Sequence, residues 1–207
     1  TAVRFGMGAS LDAWDVLLTA MVMRLRQLFR DDSLPFLNVQ LPMWIAAGDE
    51  DKHDWARLRL AQARAASALQ PGGLAILLDC GEFDNIHPTD KRTPGERLCD
   101  VALRVVYGMD APESPRALGK YTQGDTLVVT LSAPVLRRET GELLLEIAGE
   151  DGAYHPVQSV TLDGTEMRLR SVAVLHPAKV RYAYVNWGKV ALFGRNGLPL
   201  APFALEG

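Results

Sequence analysis

Leu74-Ala75-Ile76-Leu77-Leu78-Asp79-Cys80-Gly81-Glu82-Phe83-Asp84-Asn85-Ile86-His87-Pro88-Thr89-Asp90-Lys91-Arg92-Thr93-Pro94-Gly95-Glu96 sets the reading of the chain. The apolar run 74–78 has the length and flanks of a buried strand. Thr93 reads as a helix cap, Pro94 suits the first helical position, and Glu96 completes a capping box. His87 therefore sits in a loop that leaves the C-terminal end of a strand. Open α/β sheets place their reactive groups at that edge. Asp84 lies three residues before His87, near enough in sequence to orient its ring, and Asp79 at the strand end reads as structural.

The pattern continues in both directions. Residues 12–30 carry Leu17, Leu18, Met21, Leu25 and Leu28 at helical spacing. Residues 34–41 form a strand candidate with Pro35 at its start, where a missing N–H is tolerated. Residues 52–69 form an Ala- and Arg-rich helix ended by Pro71-Gly72-Gly73. A last helix spans 93–107 and stops at Gly108. Helices alternating with short apolar strands predict an α/β fold with parallel pairing. Beyond Gly108 the texture changes. Residues 109–120 are rich in Pro, Gly, Ser and charge and read as a linker. Short alternating runs follow at 126–131, 143–147, 157–162, 167–174 and 180–185, which is an antiparallel β pattern. The division is 1–108, linker 109–120, and a β-rich module 121–207.

Composition bounds the function. Of 207 residues 48% are hydrophobic, so a substantial core can form, and the net charge of -3 leaves no electrostatic footprint for nucleic acid or an anionic membrane. No apolar run approaches the ~20 residues of a membrane helix, and no secretory signal is read at the start. Cys80 and Cys99 make neither a disulfide framework nor a C-x-x-C metal spacing, so they assign no compartment.

Gly81-Glu82-Phe83-Asp84-Asn85-Ile86-His87-Pro88-Thr89-Asp90-Lys91, followed by Gly95-Glu96-Arg97-Leu98 and Tyr107-Gly108, resembles the sialate O-acetylesterase family, carbohydrate esterases of the SGNH (GDSL-like) superfamily. Leu34-Pro35-Phe36-Leu37-Asn38-Val39-Gln40-Leu41-Pro42 is similar to the family's strand before the substrate-side loop. Arg181-Tyr182-Ala183-Tyr184-Val185-Asn186 and Asn196-Gly197-Leu198-Pro199-Leu200-Ala201-Pro202-Phe203 are similar to its closing segment. The resemblance covers the C-terminal half of a typical member. It implies part of a flavodoxin-like α/β/α hydrolase domain followed by a β-sandwich-like module. It also implies a serine esterase that removes O-acetyl groups from sialic acid or an acetylated polysaccharide, with no cofactor and no metal.

In that family the histidine matching His87 is the general base, a role suited to an imidazole, which titrates near neutral pH. Asp84 would hold the ring and stabilise the imidazolium. In some members the acid and amide at the positions of Asp84 and Asn85 are exchanged. Trp44 and Glu82 are the substrate-side candidates, since aromatic faces suit sugar rings. His53, His155, His176, Trp187 and Phe193 read as surface or packing residues. The Gly-Gln-Ser-Asn nucleophile motif is absent, so the serine is expected outside these residues. Phe5-Gly6-Met7-Gly8-Ala9-Ser10-Leu11 aligns with the family's oxyanion block, with Gly8 and Ser10 matching and Leu11 lacking a side-chain donor. Thr1 is a formal N-terminal nucleophile candidate that the surrounding pattern does not support. The expected partners are an acetylated carbohydrate and either an upstream segment, a companion chain or a second copy, because a half-sheet leaves an open edge. The rival expectation is a non-catalytic fragment that binds sugar or serves assembly. A lipase or thioesterase of the same superfamily ranks third.

Overall fold

The computed structural model describes residues 13–206. The block 5–11 and Thr1 lie outside the described residues. The chain divides into two compact units, with the boundary between Pro112 and Glu113.

The first unit is a mixed α/β arrangement in the order α1 (Trp14–Phe29), β1 (Phe36–Val39), α2 (Asp54–Ala68), β2 (Gly72–Ala75) and α3 (Arg92–Val105). β1 and β2 are parallel, with Phe36 opposite Gly72 and Val39 opposite Ala75, as the alternation of helices and apolar runs predicts. Gln40 extends the ladder by donating its N–H to the Ala75 carbonyl at 2.9 Å. The second strand begins and ends earlier than the apolar run implies. Gly72 and Gly73 open the strand and Leu74 and Ala75 complete it, whereas Ile76, Leu77 and Leu78 are buried as non-strand backbone beyond it. Gly73 explains the register. A Cβ there would lie 2.3 Å from Val101 Cγ1, so α3 rests directly on a strand stripped of its side chain.

The cap of α3 also differs from expectation. Thr93 does not cap and Glu96 makes no capping box. Asp90 Oδ1 instead accepts the N–H groups of Arg92 at 3.0 Å and Thr93 at 3.1 Å, while Glu96 pairs with Arg92 at 2.6 Å. An Asx turn two residues upstream thus satisfies the orphan donors that a Thr cap would have taken.

α1 packs through one narrow stripe. Val22 joins Ala65 and Leu69 of the α2 end in a small cluster, with Leu18 and Phe36 against it. Leu17, Met21, Leu25 and Leu28 have the helical spacing noted above yet stay exposed, leaving an apolar face on this unit. Arg26 lies next to Val22 on the buried side and is only 4% exposed. Its guanidinium donates to the carbonyls of Leu34 (3.0 Å), Pro71 (3.2 Å) and Leu69 (3.4 Å), tying α1 to the start of β1 and the end of α2. Arg26→Met should therefore keep the stem packing and remove three charged donors from buried backbone. The expected cost is about 2–4 kcal/mol of stability, read as a lower urea midpoint at unchanged m-value. An unchanged midpoint would show that these carbonyls find water instead.

The second unit is all β. Its strands are β3 (Ala117–Gln123), β4 (Thr126–Leu131), β5 (Val135–Arg137), β6 (Leu145–Ala148), β7 (His155–Pro156), β8 (Ser159–Asp163), β9 (Glu166–Arg170), β10 (Lys179–Tyr182), β11 (Leu192–Gly194) and β12 (Phe203–Leu205). They form two antiparallel four-stranded sheets, ordered β3-β4-β9-β8 and β12-β10-β6-β7, and an antiparallel β5-β11 pair. β4 runs through the core, with Leu127, Val128 and Val129 all inaccessible. β9 alternates buried Met167 and Leu169 with charged Glu166, Arg168 and Arg170, as a half-buried strand should. β3 begins inside the stretch read as linker, and residues 109–116 alone lack regular structure there.

Candidate active site

Two loops leave the C-terminal ends of the paired strands β1 and β2, and they lie against each other. The first runs through Met43, Trp44 and Ile45. Its course is fixed from α2 by Trp55 and Gln62, seven residues apart on one helix face, with Arg59 buried between them. Trp55 Nε1 donates to the Pro42 carbonyl at 2.6 Å, and the Trp55 and Trp44 rings lie 5.3 Å apart at 56°. Arg59 is inaccessible, and burial pulls its guanidinium down to about 10 against the opposing pull of the Asp51 carboxylate, so it remains cationic at neutral pH. Gln62 clamps the strand end, donating to the Val39 carbonyl at 3.0 Å and accepting the Leu41 N–H at 2.8 Å. An Ala- and Arg-rich helix thus buries a polar face because that face feeds hydrogen bonds to the site loop.

The second loop carries His87. It is held to α3 by Asp79, whose carboxylate takes both Arg97 terminal nitrogens, at 2.6 and 2.8 Å, while Arg97 also donates to the Ile76 carbonyl at 2.7 Å. This bidentate pair confirms Asp79 as a structural residue. Cys80 is half-buried beside it. Burial, then the neighbouring Asp79 charge, pushes the thiol up to about 12, so it is a poor nucleophile.

The two loops are clasped at Asp84. Its backbone N–H donates to the Ile45 carbonyl at 3.1 Å, and its Oδ1 accepts the Ala47 N–H at 2.8 Å. Asp84 holds a left-handed backbone at φ 58, which a short polar side chain tolerates. Among the described residues no hydrogen bond or ion pair joins Asp84 to His87. The structure therefore brings the two residues into one loop and turns the carboxylate toward the neighbouring loop.

Glu82 is the knot of the His87 loop. Its Oε1 accepts the Thr89 N–H at 2.7 Å and the Thr89 hydroxyl at 2.5 Å, and its Oε2 accepts Asn85 Nδ2 at 2.6 Å. Asn85 Oδ1 in turn accepts the His87 N–H at 3.0 Å. His87 itself is exposed. Bonds from the Thr89 hydroxyl, the Thr89 N–H and Asn85 hold the Glu82 carboxyl below its ordinary range. Its contribution to loop order is complete above the ordinary glutamate range and fades as pH falls through the lowered value. The amide signals of residues 85, 86, 87 and 89 are thus expected to stay sharp through the ordinary glutamate range and to broaden only at lower pH. Signals unchanged at about pH 2 would show that the carboxylate does not hold the loop.

Trp44 is half-buried in the facing loop. Its indole N–H is shielded from solvent and has no acceptor among the described residues. His53 sits at the start of α2, with Nδ1 3.3 Å from Asp51 Oδ1. Phe193 lies in β11 with the Arg138 guanidinium 3.4 Å over its ring centroid, a packing role. No group of three or more His, Cys, Asp or Glu among the described residues is placed to hold a metal ion, and no described helix is long and apolar enough to cross a membrane.

No family model matches the chain. No curated protein matches it either. A crystal structure of a carbohydrate acetylesterase from Xanthomonas citri superposes with a TM-score of 0.87 at 32% identity, over 96% of this chain and 47% of that one. The chain is thus related to a carbohydrate ester hydrolase and spans about half the length of that relative.

Proposed function

We propose that this chain supplies the general base of a serine carbohydrate O-acetylesterase. The observation that carries the reading is the exposed His87, on the loop leaving β2 and clasped to the loop leaving β1, in a chain 32% identical to a carbohydrate acetylesterase. In this reading residues 1–108 are part of a flavodoxin-like SGNH hydrolase layer, 109–120 connect, and 121–207 form its accompanying β module. The substrate is an O-acetylated sugar, sialic acid or an acetylated polysaccharide.

The chemistry needs a serine from outside these 207 residues. That serine attacks the acetyl carbonyl while His87 takes its proton. The tetrahedral intermediate collapses, and the imidazolium returns the proton to the departing sugar oxygen. Water then attacks the acyl-serine with His87 again as base, releasing acetate and restoring the serine. No metal or organic cofactor takes part. The half-buried Trp44 ring contributes an apolar face to the sugar.

Acetate release from an O-acetylated sugar, with a fluorophosphonate probe alongside, tests the reading. Release lost in His87→Ala supports it. Labelling of any serine within 1–207 would overturn the external nucleophile. A second reading, a non-catalytic sugar-binding or assembly module, is favoured by the Asp84 carboxylate resting on Ala47. Sugar binding without acetate release, even when the serine-bearing part is supplied, would establish it.

A further inference from the structure

Glu82 has the position of a substrate contact and the bonding of a scaffold. Three donors converge on its carboxylate, all from within the same loop: the Thr89 N–H, the Thr89 hydroxyl and Asn85 Nδ2. Those bonds leave Asn85 with its amide nitrogen committed to Glu82, which fixes the amide's orientation. The oxygen must then point the other way, and there it accepts the His87 N–H at 3.0 Å. The Asn85 N–H also donates to the Glu82 carbonyl at 3.3 Å, closing the turn that contains Asp84. The bond from the His87 N–H to Asn85 fixes the peptide plane from which the His87 Cα and its side chain extend. The base is therefore aimed by a chain of hydrogen bonds that begins at Glu82.

We infer that Glu82 is a positioning residue for His87, acting through Asn85. The inference rests on the esterase reading only for what His87 does once aimed. The chain of bonds depends on polarity as well as shape, and that makes it testable by exchange of a single atom. In Glu82→Gln the new side-chain amide presents a donor to the Asn85 donor. Asn85 must turn over to meet it, and its nitrogen then faces the His87 N–H. The swap Glu82→Gln with Asn85→Asp restores complementarity. The Gln amide donates to one Asp oxygen, and the other accepts the His87 N–H. A loop held merely by packing would respond alike to the single and double substitutions.

The measurement is amide hydrogen exchange on the purified chain by NMR. Its four histidines give few and separable ring signals for assignment. In Glu82→Gln the His87 N–H is expected to exchange about fivefold or more faster, as the loss of one such bond dictates. The double variant is expected to return it to within about twofold of the unsubstituted protein. Asn85→Ala, which keeps the Glu82–Thr89 bonds, is expected to give the same acceleration and guards against global unfolding in the first variant. Unchanged exchange in both Glu82→Gln and Asn85→Ala would overturn the proposal, as would a double variant as fast as the single. The exchange experiment needs no turnover, so it decides the chain of bonds by itself. Acetate release tests the esterase reading separately, and there Glu82→Gln is expected to lower kcat with KM unchanged and the double variant to recover it.

Discussion

His87→Ala is expected to lower kcat/KM for an O-acetylated sugar by about 10³-fold or more in the enzyme this chain completes, because the serine then loses both its base and its leaving-group acid. The protein should remain folded. His87 is exposed, and no described contact of its side chain ties the loop together; the loop's bonds run through Glu82, Asn85 and Thr89. The midpoint of urea unfolding is therefore expected to shift by less than about 0.5 kcal/mol, the ordinary range for a surface change. The same exposure supplies a sharper signature. A truncated imidazole side chain at an open loop leaves room for free imidazole to reach the reacting atoms. Added imidazole should restore part of the rate in His87→Ala and do nothing for the unsubstituted enzyme. A histidine with only a scaffolding role would give no such rescue. Undiminished release in His87→Ala would move the base elsewhere and remove the main support for the reading.

The contrast between His87 and Asp84 shows what a linear sequence can convey. That a histidine should leave the C-terminal edge of a parallel strand was legible, since the apolar run, the loop and the helix start are all local signals. The partner of Asp84 was not. Three residues of separation places its carboxylate near His87 in sequence, yet Ala47, thirty-seven positions away, takes the bond. Ala47 carries no side-chain signal, and only the packing of one loop on the other reveals its N–H as a donor. The partners of Glu82 were hidden for the same reason: the bonds it accepts from Thr89 and Asn85 come from the fold of the loop, and its reading as a substrate-side candidate carried no sign of them.

The folding units followed the same rule. Helices with strong periodicity were placed to within two residues, because their signal is spread over several turns. Short strands such as β5, β7, β11 and β12 were invisible, since two or three residues cannot show an alternation. β3 was hidden by Gly119 and Lys120, which suit an edge strand as well as a linker. On α1 the spacing of Leu17, Met21, Leu25 and Leu28 fixed the helix correctly and said nothing of which face is covered. The buried stripe is carried by Leu18, Val22 and Arg26, where a charge stands in the apolar row.

Gly81→Ala is expected to be the most damaging small substitution in the site loops. The argument is one of space, since Gly81 is not among the glycines with a left-handed backbone. A Cβ at position 81 would lie 1.9 Å from the Met43 carbonyl oxygen and 2.8 Å from its carbon. Both are backbone atoms, so no rotamer change relieves the clash. Met43 cannot retreat, because its side chain is inaccessible and its neighbours are pinned to α2 through Pro42 and Leu41. The His87 loop must move instead, which breaks the Asp84 clasp to Ile45 and Ala47 together. Overpacking against immovable backbone and the loss of two hydrogen bonds give an expected destabilisation of about 2–4 kcal/mol. Acetate release should fall as far as in His87→Ala, since the base leaves its place with the loop. Gly95→Ala is the control. Position 95 lies inside α3 with nothing within 4 Å of an added Cβ, and the same one-methyl change there should stabilise by about 0.5–1 kcal/mol. Opposite signs at the two glycines would show that the site loops are set by their contact. Equal, mild effects would mean that the loops are not in contact at Gly81 and that His87 is placed by its own loop alone.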